Sequence, residues 1–331
     1  MQIPQFWAEA RVEGKVQGRQ RVVRRFGWSD ASEADAQQQA FARARSALAE
    51  LQAGRWVVPR ELKTAYGDGG LPIREQVLAR RGTLVVTRNS YGAHCLNEPD
   101  VLFADIDTDA RLPRLWERLF SFATRDLLLL TIGGGLLLFA QQQRWSGCAL
   151  ALLALPALSV LLGWRRRLLA SPRMRQRARA QAMALFERVV RAVPGARFAC
   201  YETPAGWRLL ALHATYDPAD PATARLLRDL GSDPAFVQMC ELQRCFRART
   251  SGKPWRMGVR HIVPRPGIWP VHPDRMARRA TWIAEYEAAA ANFAACRFIG
   301  EIGDGPVHPR CAEVQRLHDE LSRARTDLPL A

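Results

Sequence analysis

LLLLTIGGGLLLFAQQQRWSGCALALLALPALSVLLGW, residues Leu127 to Trp164, is the stretch whose reading decides the architecture. Its only charge is Arg144, in the polar break QQQR. Neither half has the polar face that a helix on the surface of a folded domain presents to water. At 1.5 Å per residue, one membrane crossing takes roughly 20 apolar residues, and this stretch is roughly twice that length. Two crossings, about 119–141 and 145–164, are therefore expected, with a tight turn between them. Trp145 and Trp164 bracket the second at the depth where tryptophan prefers to sit. The first has to borrow Leu119 to Thr124 across Arg125 and Asp126. The bland alternative, a helical hairpin buried in a soluble core, is disfavoured by length alone.

Outward from this stretch, charge sets the expected orientation. The net charge is +16. Arg111, Arg114, Arg118 and Arg125 precede the hairpin, and ten arginines against one glutamate lie between Arg165 and Arg197. The positive-inside rule then places both flanks in the cytoplasm, which predicts a multi-pass protein of the bacterial cytoplasmic (inner) membrane with cytoplasmic N- and C-termini. A bilayer with anionic head groups is the expected partner of the arginine cluster. The first twenty residues carry charges and no apolar core, so no signal peptide is read there. Most of the seven cysteines fall on the cytoplasmic side, where reduced thiols rather than disulfides are expected.

The expected fold class is α/β (α+β, a split βαββ-like cytoplasmic domain) with the hairpin inserted. Residues 1–58 read as a β-hairpin plus helix, with Ser32 as N-cap and Asp35 as its capping-box acid. Residues 59–118 supply the first part of the α/β domain, 119–164 the hairpin, and 165–331 the second part with C-terminal helices. In the first part, Ile73 to Arg80 reads as a short helix, followed by strands over Thr83–Arg88, Tyr91–Leu96 and Val101–Ile106. After the hairpin come a helix over Gln176–Val193 and a strand pair, Arg197–Glu202 and Trp207–His213. Helices are then expected at Pro221–Leu230, Pro234–Phe246, Pro273–Phe293 and Pro309–Arg325.

Two motifs carry candidate chemistry. In VLFADIDTD, Asp105 and Asp107 are two apart and share one strand face. Such a carboxylate pair is a candidate ligand set for Mg2+ or Mn2+, which take oxygen ligands and leave positions for phosphate oxygens. A solvated acidic turn is the alternative. The second motif is RARTSGKPWR, where Arg247, Arg249, Lys253 and Arg256 surround a Ser-Gly turn suited to anions, either phosphate or a lipid surface. In YETPAGWRLL, Thr203 and Arg208 flank a further turn. Cys296, His308, Cys311 and His318 have spacings that fit no closed zinc module, so zinc is not expected. No serine elbow, dinucleotide fingerprint, Walker loop or kinase signature is present.

An apolar strand ending in Asp-x-Asp, a helix, and a strand pair joined by a Thr-x-x-Gly turn resemble the catalytic core of archaeo-eukaryotic primases and primase-polymerases. The resemblance covers residues 100–213 without the hairpin. It implies metal binding by Asp105 and Asp107 and phosphate contact by Thr203. The sequence departs from that family where a histidine should follow the turn, since Trp207 and Arg208 stand there. Two functions follow as expectations. One is a membrane-anchored protein that binds a phosphate ester or nucleotide, with divalent-metal-dependent phosphoryl or nucleotidyl transfer at Asp105, Asp107 and Thr203; nucleic acid stays open as a partner. The other is a non-catalytic inner-membrane scaffold that binds lipid or protein and keeps a degenerate site.

Overall fold

The structure, a computed structural model, describes residues 1–61, 71–108, 172–265, 267 and 269–331. The chain forms two compact units, one of Met1–Ile106 with Leu185–Ala331 and one of Asp107–Ala184. In the first unit, β1 (Phe6–Val16) and β2 (Arg19–Ser29) form an antiparallel hairpin in register from Phe6↔Ser29 to Val16↔Arg19. Its two-residue turn puts Gln17 and Gly18 at φ 49° and 77°, the left-handed geometry that matches strand twist. Helix α1 (Glu33–Gln52) starts where expected, with the Ser32 side chain accepting from the Asp35 N–H at 3.1 Å. Its buried face is almost all alanine, at Ala36, Ala40, Ala44 and Ala47, so it lies unusually close to the hairpin. Gly27 sits at the closest point. A Cβ there would lie 2.2 Å from the Ala36 carbonyl oxygen and 2.3 Å from the Ala40 nitrogen.

A second sheet has the order β3-β4-β5-β9, all antiparallel: β3 (Gln76–Arg81), β4 (Leu84–Arg88), β5 (His94–Glu98) and β9 (Phe246–Arg249). Strand β3 replaces the short helix expected at Ile73 to Arg80. QVLARR has side chains that suit a helix, but Gly82 at φ 60° turns it back on β4, and pairing from Gln76↔Arg88 to Arg81↔Leu84 takes over. Likewise the helix expected to reach Phe246 stops at Gln243. Arg244 caps it at φ 49°, and after Cys245 the chain becomes β9.

The third sheet has the order β10-β7-β8-β6, from β6 (Phe103–Asp107), β7 (Arg197–Thr203), β8 (Gly206–Ala211) and β10 (Arg297–Gly303). Phe103, Phe198, Tyr201, Leu209 and Leu210 are fully buried around it. Helix α2 (Pro172–Ala192) buries Phe186 and Val190. Helices α3 (Pro221–Asp229), α4 (Pro234–Gln243), α5 (Met276–Ala290) and α6 (Pro309–Ser322) complete the described elements. Trp282 and Tyr286 of α5 stack at 5.1 Å over Val259 and Ile262, which gives the proline-broken segment after β9 a core of its own.

The domain is thus a mixed α/β fold, and one part of the expected architecture is corrected. Among the described residues no helix is long and apolar enough to cross a membrane. The expected hairpin at 119–164 lies outside the described residues. The longest described helices are of another kind: α1 carries Glu33, Asp35, Arg43, Arg45 and Glu50, and α2 is rich in arginine. The described fold is corrected to a mixed α/β domain, which offers no spanning helix on which the multi-pass inner-membrane placement or the anionic bilayer partner could rest.

Candidate functional site

A cavity of about 460 Å3 opens among the β1–β2–α1 module, β9, β8, β6 and α4. That volume is in the range of small-molecule sites. Each side chain arrives by its local geometry. On β9 the residues alternate, so Phe246 and Ala248 are buried while Arg247 and Arg249 turn to the other face and line the cavity. Arg208 comes from β8, Asp105 from β6, Phe236 and Met239 from α4, and Asn89 to Tyr91 from the β4–β5 turn. The hairpin module contributes an aromatic wall of Trp7, Phe26 and Trp28, with the Trp7 and Trp28 rings 5.5 Å apart.

Six cations and three carboxylates line this cavity: Arg43, Arg74, Arg208, Arg247, Arg249 and Lys253 against Glu61, Glu75 and Asp105. Arg43 pairs with Glu61 at 2.7 Å, and Arg247 pairs with Glu75, whose Oε2 also accepts from the Thr87 hydroxyl. Both Glu75 and Arg247 are largely shielded from water, so each depends on the other. Arg74 lies over the Phe26 ring at 3.7 Å, and burial pulls its pKa down to about 10, so it stays charged at neutral pH. Arg249 differs from the rest. Its Nε is buried without a hydrogen-bond partner. Burial lowers its pKa, Asp105 opposes that, and the neighbouring charges of Arg208 and Arg256 add to it.

Arg208 is held from behind. Its Nη1 donates to the Arg249 carbonyl at 2.8 Å and lies 3.2 Å from His318 Nε2. A guanidinium has no acceptor, so His318 receives this bond at Nε2 and carries its proton on Nδ1, 3.1 Å from Asp319 Oδ1. Asp319 also accepts from the Tyr201 hydroxyl at 2.7 Å and from Arg325 Nε at 2.8 Å. Burial would raise the Asp319 pKa, but the bonds from His318 and Tyr201 and the charge of Arg325 hold it below the usual carboxylate range. A buried polar chain therefore fixes the Arg208 side chain, which is only 3% exposed.

The structure brings together Asp105, Arg208, Arg247, Arg249 and Lys253 from the residues singled out in the sequence. Three others fall elsewhere. Thr203 is buried in the β7–β8 turn, where its Oγ1 accepts from the Gly206 N–H at 3.0 Å and shapes the backbone. Arg256 belongs to the short 3-10 turn Pro254–Arg256 and does not line the cavity. Asp107 ends β6 in an exposed position. Arg43, Arg74, Glu61 and Glu75 were not singled out, and the Phe-Arg-Ala-Arg alternation of β9 was the one local signal that two arginines would share a face.

Among the described residues no group of three or more His, Cys, Asp or Glu side chains could hold a metal ion. The expected Mg2+ or Mn2+ pair at Asp105 and Asp107 therefore gains no third such ligand among the described residues. Asp105 Oδ1 faces the Arg208 guanidinium at 3.7 Å, in a cavity whose surplus of fixed positive charge repels a divalent cation. The expected metal-dependent phosphoryl or nucleotidyl transfer at a nucleotide site is corrected to a cavity without a metal cluster among the described residues, and the membrane-scaffold alternative has no spanning helix among them to anchor it. The residues of the rejected zinc spacing have other roles: His308 caps α6, the Cys311 thiol donates to the Ala214 carbonyl, and Cys296 packs on His318. The six described cysteines are buried and free.

Fold and site together define a mixed α/β protein with a cation-rich, aromatic-walled cavity. No family model, curated protein or solved structure matches the chain.

Proposed function

We propose that this protein binds a small organic anion with a flat apolar body, without a metal, in the cavity between β9 and the Trp7–Phe26–Trp28 wall. Arg249 carries the reading: a half-buried guanidinium lines the cavity, its Nε has no hydrogen-bond partner, and the Asp105 carboxylate beside it is outnumbered by the charges of Arg208 and Arg256. Leaving a buried guanidinium N–H unbonded is costly, and a bound anion would offset that cost. The aromatic wall supports the rest of the ligand, because flat rings stack well on indole and phenyl faces. Binding fits the cavity better than catalysis. No histidine is among the described cavity-lining residues, and the Cys95 thiol in its wall is pushed up by burial and so stays protonated at neutral pH.

The test uses 8-anilinonaphthalene-1-sulfonate, an aromatic anion whose fluorescence rises in apolar surroundings. The full-length protein should bind it saturably, with an affinity that falls as salt is added. Arg249→Met should weaken binding by roughly ten-fold or more, the size of one charge-assisted hydrogen bond. An unchanged affinity in Arg249→Met refutes the reading.

A further inference from the structure

Resting on that reading, we infer that the acidic group recognised is a carboxylate, and that Asp105 is a built-in competitor occupying its place. The argument starts from how Arg208 spends its donors. Nη1 is committed to the Arg249 carbonyl and to His318. Nε is buried and has no hydrogen-bond partner. Nη2 looks toward Asp105 Oδ1 from 3.7 Å, close enough for charge attraction and too far for a hydrogen bond. The Nε–Nη2 edge is therefore the unspent side of a clamped guanidinium. That edge offers two parallel N–H donors in one plane, which two coplanar carboxylate oxygens match and a single point charge does not.

Asp105 shows which oxyanion the place suits. Its own carboxylate stands opposite this edge, and its side chain is 42% exposed against 3% for Arg208. The guanidinium is thus fixed while its partner can swing toward water. The pair is not drawn into full contact, as a structural ion pair would be; compare Arg43–Glu61 at 2.7 Å in the same cavity. A carboxylate ligand entering here meets two opposing influences. Arg208 and Arg249 attract it, and Asp105 repels it until its side chain turns away. Asp105 in this role lowers affinity and screens out weakly held anions, so its removal should tighten binding rather than abolish it.

Isothermal titration of the full-length protein with 2-naphthoate and, separately, 2-naphthalenesulfonate tests this. Asp105→Asn keeps the side-chain shape and removes its charge. It should tighten 2-naphthoate by about ten-fold, since like charges face to face cost that much or more. Wild type should prefer the carboxylate over the sulfonate. Arg208→Lys keeps the charge but loses the two-donor edge, and should weaken 2-naphthoate by about ten-fold while reducing that preference. Arg208 is packed deeply enough that its variant needs a thermal melt to show that it folds; Asp105→Asn carries the test if it does not. Unchanged or weaker 2-naphthoate binding by Asp105→Asn overturns the inference, as does a wild-type preference for the sulfonate. If Arg249→Met still weakens the anilinonaphthalene probe in that case, the anion site stands and only the carboxylate assignment falls. Wild type binding none of the three probes overturns both.

Discussion

Gly27→Ala should destabilise the fold and damage the cavity by one displacement. The added methyl would lie 2.2 Å from the Ala36 oxygen, 2.3 Å from the Ala40 nitrogen and 2.8 Å from its Cα. Non-bonded heavy atoms pack comfortably at about 3.5 Å, so α1 must retreat by roughly 1 Å. All three contacts are backbone atoms and cannot rotate away. The retreat strips close contact from Ala36, Ala40, Ala44 and Ala47 together. Overpacking of this kind costs about 1–3 kcal/mol, and the rigid neighbours place Gly27 near the upper end. With a urea dependence of about 1–3 kcal/mol per molar, the midpoint should fall by roughly 1 M. Gly14→Ala is the matched control. Its nearest neighbour is the Leu48 Cδ2 at 2.8 Å, the far end of a flexible side chain, so a much smaller shift is expected. Gly27 also stands between Phe26 and Trp28, and Arg43 reaches the cavity from α1. Moving the helix should therefore weaken anilinonaphthalene binding in the folded variant as well. Equal midpoints for Gly27→Ala and wild type in urea denaturation followed by circular dichroism would refute the close-packing argument.

Two further perturbations probe the ion pairs. Glu75→Gln leaves the shielded Arg247 without its counter-charge, which should cost about 3–5 kcal/mol by the same denaturation assay; a loss under 1 kcal/mol would show that water reaches Arg247. Glu287 accepts from Arg88 at 2.7 Å and His94 at 2.9 Å. Although burial works the other way, these bonds and charges hold its carboxyl down at about 2. A depressed folded-state value contributes stability that is present above the unfolded value near 4.5 and is lost as pH falls toward 2. Glu287→Gln should flatten the pH dependence of the melting temperature across that window, and a wild-type slope retained in the variant would count against this assignment.

Local signals in the sequence located much of the fold. The Gln17-Gly18 turn and the Ser32 cap mark the β1–β2–α1 module, and short apolar runs bounded by turn residues mark β4 to β8. Elements whose state is decided at a distance were not legible. QVLARR becomes a strand because Leu84–Arg88 pairs with it, and β10, RFIGEIG, is an edge strand with two glycines and little alternation. Strand β9 hid in a basic run that reads equally well as a loop. The site was half legible for the same reason. Charge density pointed to Arg208, Arg247, Arg249 and Lys253. No spacing rule could reveal that Glu75 neutralises Arg247 across 172 positions, or that Arg208 would face Asp105 and turn a metal-like motif into a loose ion pair. Of the zinc-like set, Cys296 and His318 approach one another at 3.8 Å, a contact that spacing alone does not give.

The two larger sheets each take a strand from the other side of the long excursion of chain between β6 and α2. β9 pairs with β5, and β6 closes a sheet otherwise built after Ala196. Both sheets consequently depend on partners far apart in sequence. Loop closure must come before such pairing is rewarded, so the rate-limiting search in folding is for these two seams rather than for any hairpin. The two seams, β5 with β9 and β6 with β8, therefore tie together segments that lie on opposite sides of Asp107–Ala184, and a change that loosens either seam unfastens a whole sheet rather than one hairpin.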